Sequence, residues 1–154
     1  MAPAAERQAL PPWLKVKLPT GPVGARLKEA SRSRGLSTVC EEARCPNLAE
    51  CWGGGTATFM VMGDTCTRGC RFCSVATAVR PSLPDAAEPQ KLALTLKEMA
   101  VDYAVLTTVC RDDLPDQGAA HLAECIREIR KVNPSLKLEM LLQDFRADKG
   151  LLEA

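Results

Sequence analysis

Three cysteines within eight residues, Cys66-Thr-Arg-Gly-Cys70-Arg-Phe-Cys73, are the part of this 154-residue chain best equipped for chemistry. Thiolates are soft ligands, so a loop able to wrap all three around one centre selects iron–sulfur clusters, zinc or copper(I) over hard, oxygen-loving cations. A structural zinc site is closed by four protein ligands. A four-iron cube held by three thiolates instead keeps one iron free for a small molecule. A second triplet precedes the first in Thr38-Val-Cys40-Glu-Glu-Ala-Arg-Cys45-Pro-Asn-Leu-Ala-Glu-Cys51-Trp52. Its CxxxxCxxxxxC intervals are too long for one tight turn, and Pro46-Asn47 predict an irregular loop between the thiols. Zinc would need a fourth ligand there. The single histidine, His121, stands far along the chain in a helical pattern and reads as a polar helix-surface residue.

The elements around these thiols follow from pattern. Thr56 to Gly63, β-branched and apolar, predicts a buried strand that delivers the Cys66 loop at its C-terminal end. Pro81-Ser-Leu-Pro84 is a turn-rich connection. Leu92, Leu96 and Met99 at helical spacing predict an amphipathic helix over 88–100 with an acidic residue at its start. Tyr103 to Val109 is a second apolar strand. The polar loop Arg111 to Gly118 leads into a helix over 119–132 with Leu122, Cys125, Ile126 and Ile129 on one face, and Leu136 to Leu142 is a third strand. Upstream, the proline-rich residues 1–22 predict an extended arm docked through Trp13 and Leu14. Val23 to Arg34 reads as a short surface helix with a solvated charged face, stopped by Gly35. The order β–α–β–α–β implies a parallel sheet with right-handed crossovers. Sites in such sheets gather at the C-terminal strand ends, where the Cys66 and Arg111–Asp116 loops both fall.

Composition narrows the function. One ordinary core is within reach of a chain with 46% hydrophobic residues. A net charge of +1 gives no electrostatic case for nucleic acid or an anionic membrane, and the 4% aromatics weaken any base-stacking role. No apolar run approaches the roughly 20 residues that span a bilayer. The first residues, Met-Ala-Pro-Ala-Ala-Glu-Arg, carry neither the apolar core of a secretion signal nor an Arg/Ser-rich amphipathic stretch. A reducing compartment is expected, so the eight cysteines read as metal ligands rather than disulfides. Two stand apart: Cys125 as a small core residue, and Cys110 beside the predicted site edge.

CxxxCxxC with an aromatic, Phe72, before the last Cys resembles the radical S-adenosylmethionine (SAM) enzymes. With the upstream run from Thr38 to Trp52 and the continuous stretch Thr56 to Val75, the chain is similar to the lipoyl synthase family from about Leu10 to Arg146. This resemblance implies an α/β fold: a partial radical-SAM (β/α) barrel, here about three β/α units after an irregular Cys-rich N-terminal extension. Residues 1–55 would carry the arm and the auxiliary-cluster motif, and residues 56–154 the first half of the barrel. Two [4Fe–4S] clusters are implied. One, on Cys66, Cys70 and Cys73, binds and reductively cleaves SAM. The other, on Cys40, Cys45 and Cys51, donates sulfide. The resulting deoxyadenosyl radical takes hydrogen from an octanoyl chain, and two sulfur insertions complete the lipoyl group. Phe72, Thr107, Arg111, Asp112 and Asp113 are candidate cofactor-binding residues; the Arg111–Asp113 loop reads equally as a capped polar turn.

The implied partners are an octanoylated lipoyl-carrier domain or glycine cleavage H protein as substrate, and an electron donor such as ferredoxin or flavodoxin. Bacterial cytoplasm is the expected location, or a mitochondrial or plastid matrix in a eukaryote. Lipoyl synthases are about twice as long and hold the fourth auxiliary-cluster ligand, a Ser, in their C-terminal half. The chain is therefore expected to be an N-terminal fragment, poorly stable and inactive alone. Cys110 stands where the family has Asp, and Gln143 where it has Pro. Two alternatives are a zinc-binding interaction module and a two-cluster electron-transfer protein.

Overall fold

A computed structural model describes residues 11, 22–43 and 45–153. The expected docking of Trp13 and Leu14 falls outside the described residues.

Helix α1 (Pro22–Ser33) ends, as predicted, just before Gly35, whose φ of +67° is one that L side chains rarely adopt. Its charges are not simply a solvated face. Lys28 and Arg32 lie 3.8 and 3.1 Å from Glu41, and the neighbouring Arg34 donates to Thr95 at 3.1 Å and to Glu98 at 2.5 Å. A two-residue strand β1 (Ser37–Thr38) follows, then the short helices α2 (Val39–Glu42) and α3 (Leu48–Gly53). The Cys-rich segment is thus less irregular than expected. Pro46 and Asn47 form a turn between two short helices, one holding Cys40 and the other Cys51. The hydroxyl of Thr38 caps α2 by accepting the Glu41 N–H at 3.3 Å.

The sheet runs β1–β2–β5–β6, with β2 (Thr56–Val61), β5 (Tyr103–Thr108) and β6 (Lys137–Leu141) parallel and β1 antiparallel on the edge. Phe59, Met60 and Val61 are all buried, so central β2 is covered on both faces at its end. Helices α4 (Glu88–Met99) and α5 (Ala119–Val132) make the crossovers and pack on each other. In α4, Pro89 takes a first-turn position where its missing N–H has no helical partner to lose, and Glu88 faces the positive end of the helix dipole. In α5, Arg130 and Lys131 sit at the negative end. Ala57, Phe59, Val61, Ala104 and Leu106 form one core with Leu92, Ala93 and Leu96 of α4 and Leu122, Cys125 and Ile129 of α5. Cys125 is fully buried there, as predicted. The alternate residues Thr58, Val105 and Glu139, and Thr107 one row further on, point to the other face, where Tyr103 donates its hydroxyl to Glu139. This mixed α/β sheet with parallel strands fits a partial fold of the radical-SAM type.

Candidate functional site

The three parallel strands end on one edge, and the loops that leave them meet there. From β2 the chain turns at Met62 (φ +71°) and Gly63 (φ +90°) into a small parallel pair, β3 (Thr65–Cys66) with β4 (Ala76–Thr77). This pairing closes the neck of the cysteine loop by setting Cys66 opposite Thr77, and Ala78 N–H donates to Cys66 O at 3.0 Å. Beyond the neck the loop stands in solvent. Cys70 and Cys73 are exposed, and Phe72 is 93% exposed. Cys66 is half-buried, and its sulfur accepts the backbone N–H of Cys110 at 3.2 Å and of Arg68 at 3.4 Å. Two backbone N–H groups aimed at one sulfur fix where that sulfur sits, while the thiols further along the loop have no such anchor among the described residues.

Segments from β5 and β6 reach the same loop. Thr67 donates its N–H and its hydroxyl to Cys110 O, both at 2.9 Å. Arg68 grips Asp112 through Nε and Nη2 at 2.7 and 2.8 Å, and Asp144 through Nη1 and Nη2 at 2.8 and 2.9 Å. These bonds hold the Asp112 and Asp144 carboxyls below the usual carboxylate range and raise the Arg68 guanidinium above its ordinary value. Arg146 adds a contact to Asp112 at 3.2 Å. Phe145, Arg146 and Ala147 all have positive φ, at 44°, 52° and 60°. Non-glycine residues there cost on the order of 1–3 kcal/mol each, so surrounding contacts must hold the turn.

The candidate residues Arg111, Asp112 and Asp113 therefore part company. Arg111 is fully buried and spends Nε and Nη2 on Asp113, both at 2.8 Å, while its Nη1 has no partner among the described residues. Asp112 faces the cysteine loop. Thr107 lies near the end of β5, in register with Met60 and Leu141. Cys110 is half-buried, and burial with the nearby Cys66 pushes its thiol up to about 11. Gln143 donates its side-chain amide to Gln117 O, tying the end of β6 to the loop before α5.

The second triplet is more enclosed. Cys40 is buried, and Cys45 and Cys51 are half-buried. Burial raises the Cys40 thiol, the Cys45 and Cys51 sulfurs add to the shift, and Thr58 and Trp52 oppose it. Cys40 lies in α2 and Cys51 in α3, with Cys45 in the connection between them. Trp52 is 3% exposed, and its indole N–H has no hydrogen-bond partner of ordinary geometry among the described residues.

One group went unnoticed in the sequence. His121 is not a free surface residue: its ring is largely buried, and its Nε2 lies 2.6 Å from Glu88 Oε2, which also accepts the Met62 N–H at 2.9 Å. With Cys125 these side chains place ligand atoms within 4.8 Å of one another. Glu88 is 5% exposed. It fastens the turn that launches the cysteine loop and holds the His121 ring at the same oxygen. Histidine and acid at the starts of two successive helices were a possible signal, but nothing local pairs them.

Residues 2–45 match the N-terminal domain of lipoyl synthase of the radical SAM family. The chain is 54% identical over 156 residues to the mitochondrial lipoyl synthase of Leishmania braziliensis, covering 95% of this chain and 41% of that protein. It is 53% identical over 153 residues to that of Homo sapiens, covering 96% and 41%, and 55% identical over 148 residues to that of Culex quinquefasciatus, covering 93% and 39%. The chain spans about two fifths of the length of these relatives. Along nearly all of its own length the chain is similar in sequence to the lipoyl synthases, and its N-terminal residues match that family's N-terminal domain.

Proposed function

We propose that the chain is the part of a lipoyl synthase that carries both cluster motifs, with residues 1–55 holding the auxiliary motif and residues 56–154 the first half of a radical-SAM barrel. The observation that supports this best is the place of the Cys66 loop: three thiols at the carboxyl edge of a parallel sheet, with two backbone N–H groups aimed at Cys66. The donor set suits a [4Fe–4S] cluster, since Cys70 and Cys73 stand free to turn toward a common centre and Cys66 is preset. Cys40, Cys45 and Cys51, more enclosed, suit the second cluster. When bound, the clusters and SAM supply radical C–H activation and sulfide for a protein-bound octanoyl chain.

The chain's own residues would position and shield. The N–H groups of Cys110 and Arg68 both point at the Cys66 sulfur and would fix its place as a ligand. Asp112 on the loop side and Thr107 near the end of β5 are the polar groups proposed to face SAM or the substrate arm, with the unpartnered, buried Arg111 Nη1 behind them. Phe72 is exposed where it could cover the loop once a cluster gathers it. An octanoylated lipoyl-carrier domain or glycine cleavage H protein is the proposed substrate and a ferredoxin or flavodoxin the electron donor. For a eukaryotic source the matrix of mitochondria is the proposed place, as the relatives' names suggest. No described helix is long and apolar enough to cross a membrane.

The test is iron, acid-labile sulfide and zinc per chain after anaerobic reconstitution, with electron paramagnetic resonance of the reduced protein before and after adding SAM. About eight irons and eight sulfides, with one signal altered by SAM, are expected for two cubes. Stoichiometric zinc without sulfide would replace the enzyme reading with a zinc-binding module. Two clusters indifferent to SAM would favour electron transfer.

A further inference from the structure

We infer that Arg68 is the positioning residue of the cysteine loop: by gripping Asp112 and Asp144 at once, it fixes Cys66 against the ends of β5 and β6. This role rests on the reading of Cys66, Cys70 and Cys73 as cluster ligands and adds a residue that acts through Cys66.

Arg68 makes four charged hydrogen bonds between 2.7 and 2.9 Å, two to each carboxylate. Only a planar guanidinium fork can present donors to two carboxylates in this way; an ammonium is a point charge. Its partners lie 44 and 76 positions along the chain, in the segments leaving β5 and β6, so one side chain joins all three parallel strand ends. Charge balances within the group. Arg68 and Arg146 carry two positive charges against Asp112 and Asp144, and Asp112 is further held by Thr67, whose hydroxyl oxygen accepts the Asp112 N–H at 3.1 Å.

The same residue governs the sulfur directly. Arg68 N–H is one of the two donors on Cys66 Sγ, so anchoring the side chain also anchors that donor. From Gly69 to Ser74 the loop is exposed. It is therefore fixed at its first thiol and free at the other two. The left-handed turn at Phe145–Ala147 belongs to this arrangement. It places Asp144 on Arg68 and brings Arg146 back to Asp112, while Phe145 is buried and its carbonyl accepts Gln117 Nε2 at 3.1 Å.

The test is pulsed alkylation of the full metal-free chain under reducing conditions, reading Cys66, Cys70 and Cys125 separately by mass spectrometry. Arg68→Gln is expected to raise the Cys66 rate about tenfold, the factor set by losing charged hydrogen bonds that resist a local opening. Cys70, already exposed, keeps its rate, and buried Cys125 stays protected. Arg68→Lys, which keeps the charge without the fork, falls between. An unchanged Cys66 rate overturns the role. So does a parallel rise at Cys125, which would assign Arg68 to the stability of the whole fold. Iron and sulfide uptake by the unaltered chain is measured independently, so loss of the cluster reading shows there while the alkylation ratio reports on Arg68 alone.

Discussion

A methyl group placed on Gly118 would lie 2.1 Å from the sulfur of Met62. Gly118 caps α5 at φ +85°, and Met62 is 2% exposed in the turn that leaves β2, so the two loops touch with no room for a side chain between them. Gly118→Ala should cost on the order of 2 kcal/mol or more, from overpacking together with left-handed strain. Thermal unfolding followed by circular dichroism checks it. Adding Met62→Ala should relieve the clash but not the strain, so a full recovery would contradict this account.

Glu88 receives the Met62 N–H and the His121 ring within a buried pocket. Glu88→Ala leaves that N–H without an acceptor and should cost about 1–3 kcal/mol. Glu88→Gln keeps an amide oxygen for Met62 and should cost less. Urea unfolding monitored by intrinsic fluorescence separates the two, and equal losses would mean that the charge, not the acceptor, matters.

Asp112 is held below the ordinary carboxylate range, first by the hydrogen bonds from Arg68. A folded-state value depressed in this way contributes stability that is fully present above the unfolded value of about 3.9. That contribution is lost as pH falls through the lower folded value. Between pH 7 and 5 the difference in midpoint between the native chain and Asp112→Asn should stay constant, then shrink in more acidic buffers. A difference that closes near neutral pH would exclude this linkage.

Burial pushes the Cys125 thiol up to about 12, with Glu88 adding to the shift. At pH 8 it should remain an unreactive thiol while exposed Cys70 and Cys73 are alkylated. Cys125→Ser buries a hydroxyl where a weakly polar sulfur stood and should destabilise by about 1–3 kcal/mol. Cys125→Ala should be milder than Ser if no polar partner is waiting for a hydroxyl. The order of the two midpoints decides.

Helices α4 and α5 and strands β2, β5 and β6 were legible because each is specified by a local period: Leu92 and Leu96, or Leu122, Cys125 and Ile129, repeat on one face. The parallel order placed the Cys66 and Cys110–Asp113 segments on one edge, where they meet. Other features depend on distant partners. His121 looked solvated because the acid that holds it lies 33 positions away, across a crossover. Arg68 carried no signal of its own because its two carboxylates come from later strand ends. The helices flanking Cys45 have four and six residues, too few to show a period, and β1 has two. Arg111 was read as available to a ligand, yet most of its fork is committed to Asp113 two residues on.

The cysteine loop lies within the crossover between β2 and β5, two strands that pair in parallel from Thr56–Tyr103 to Val61–Thr108. Parallel partners cannot form by a local hairpin, and their pairing waits on closure of the whole intervening segment. Until Val61 meets Thr108, neither Cys110 nor Asp112 is beside Cys66 and Arg68. Order of events is thereby built into the chain: the sheet must close first, and anything that reached the loop earlier would meet three unanchored thiols rather than one already fixed.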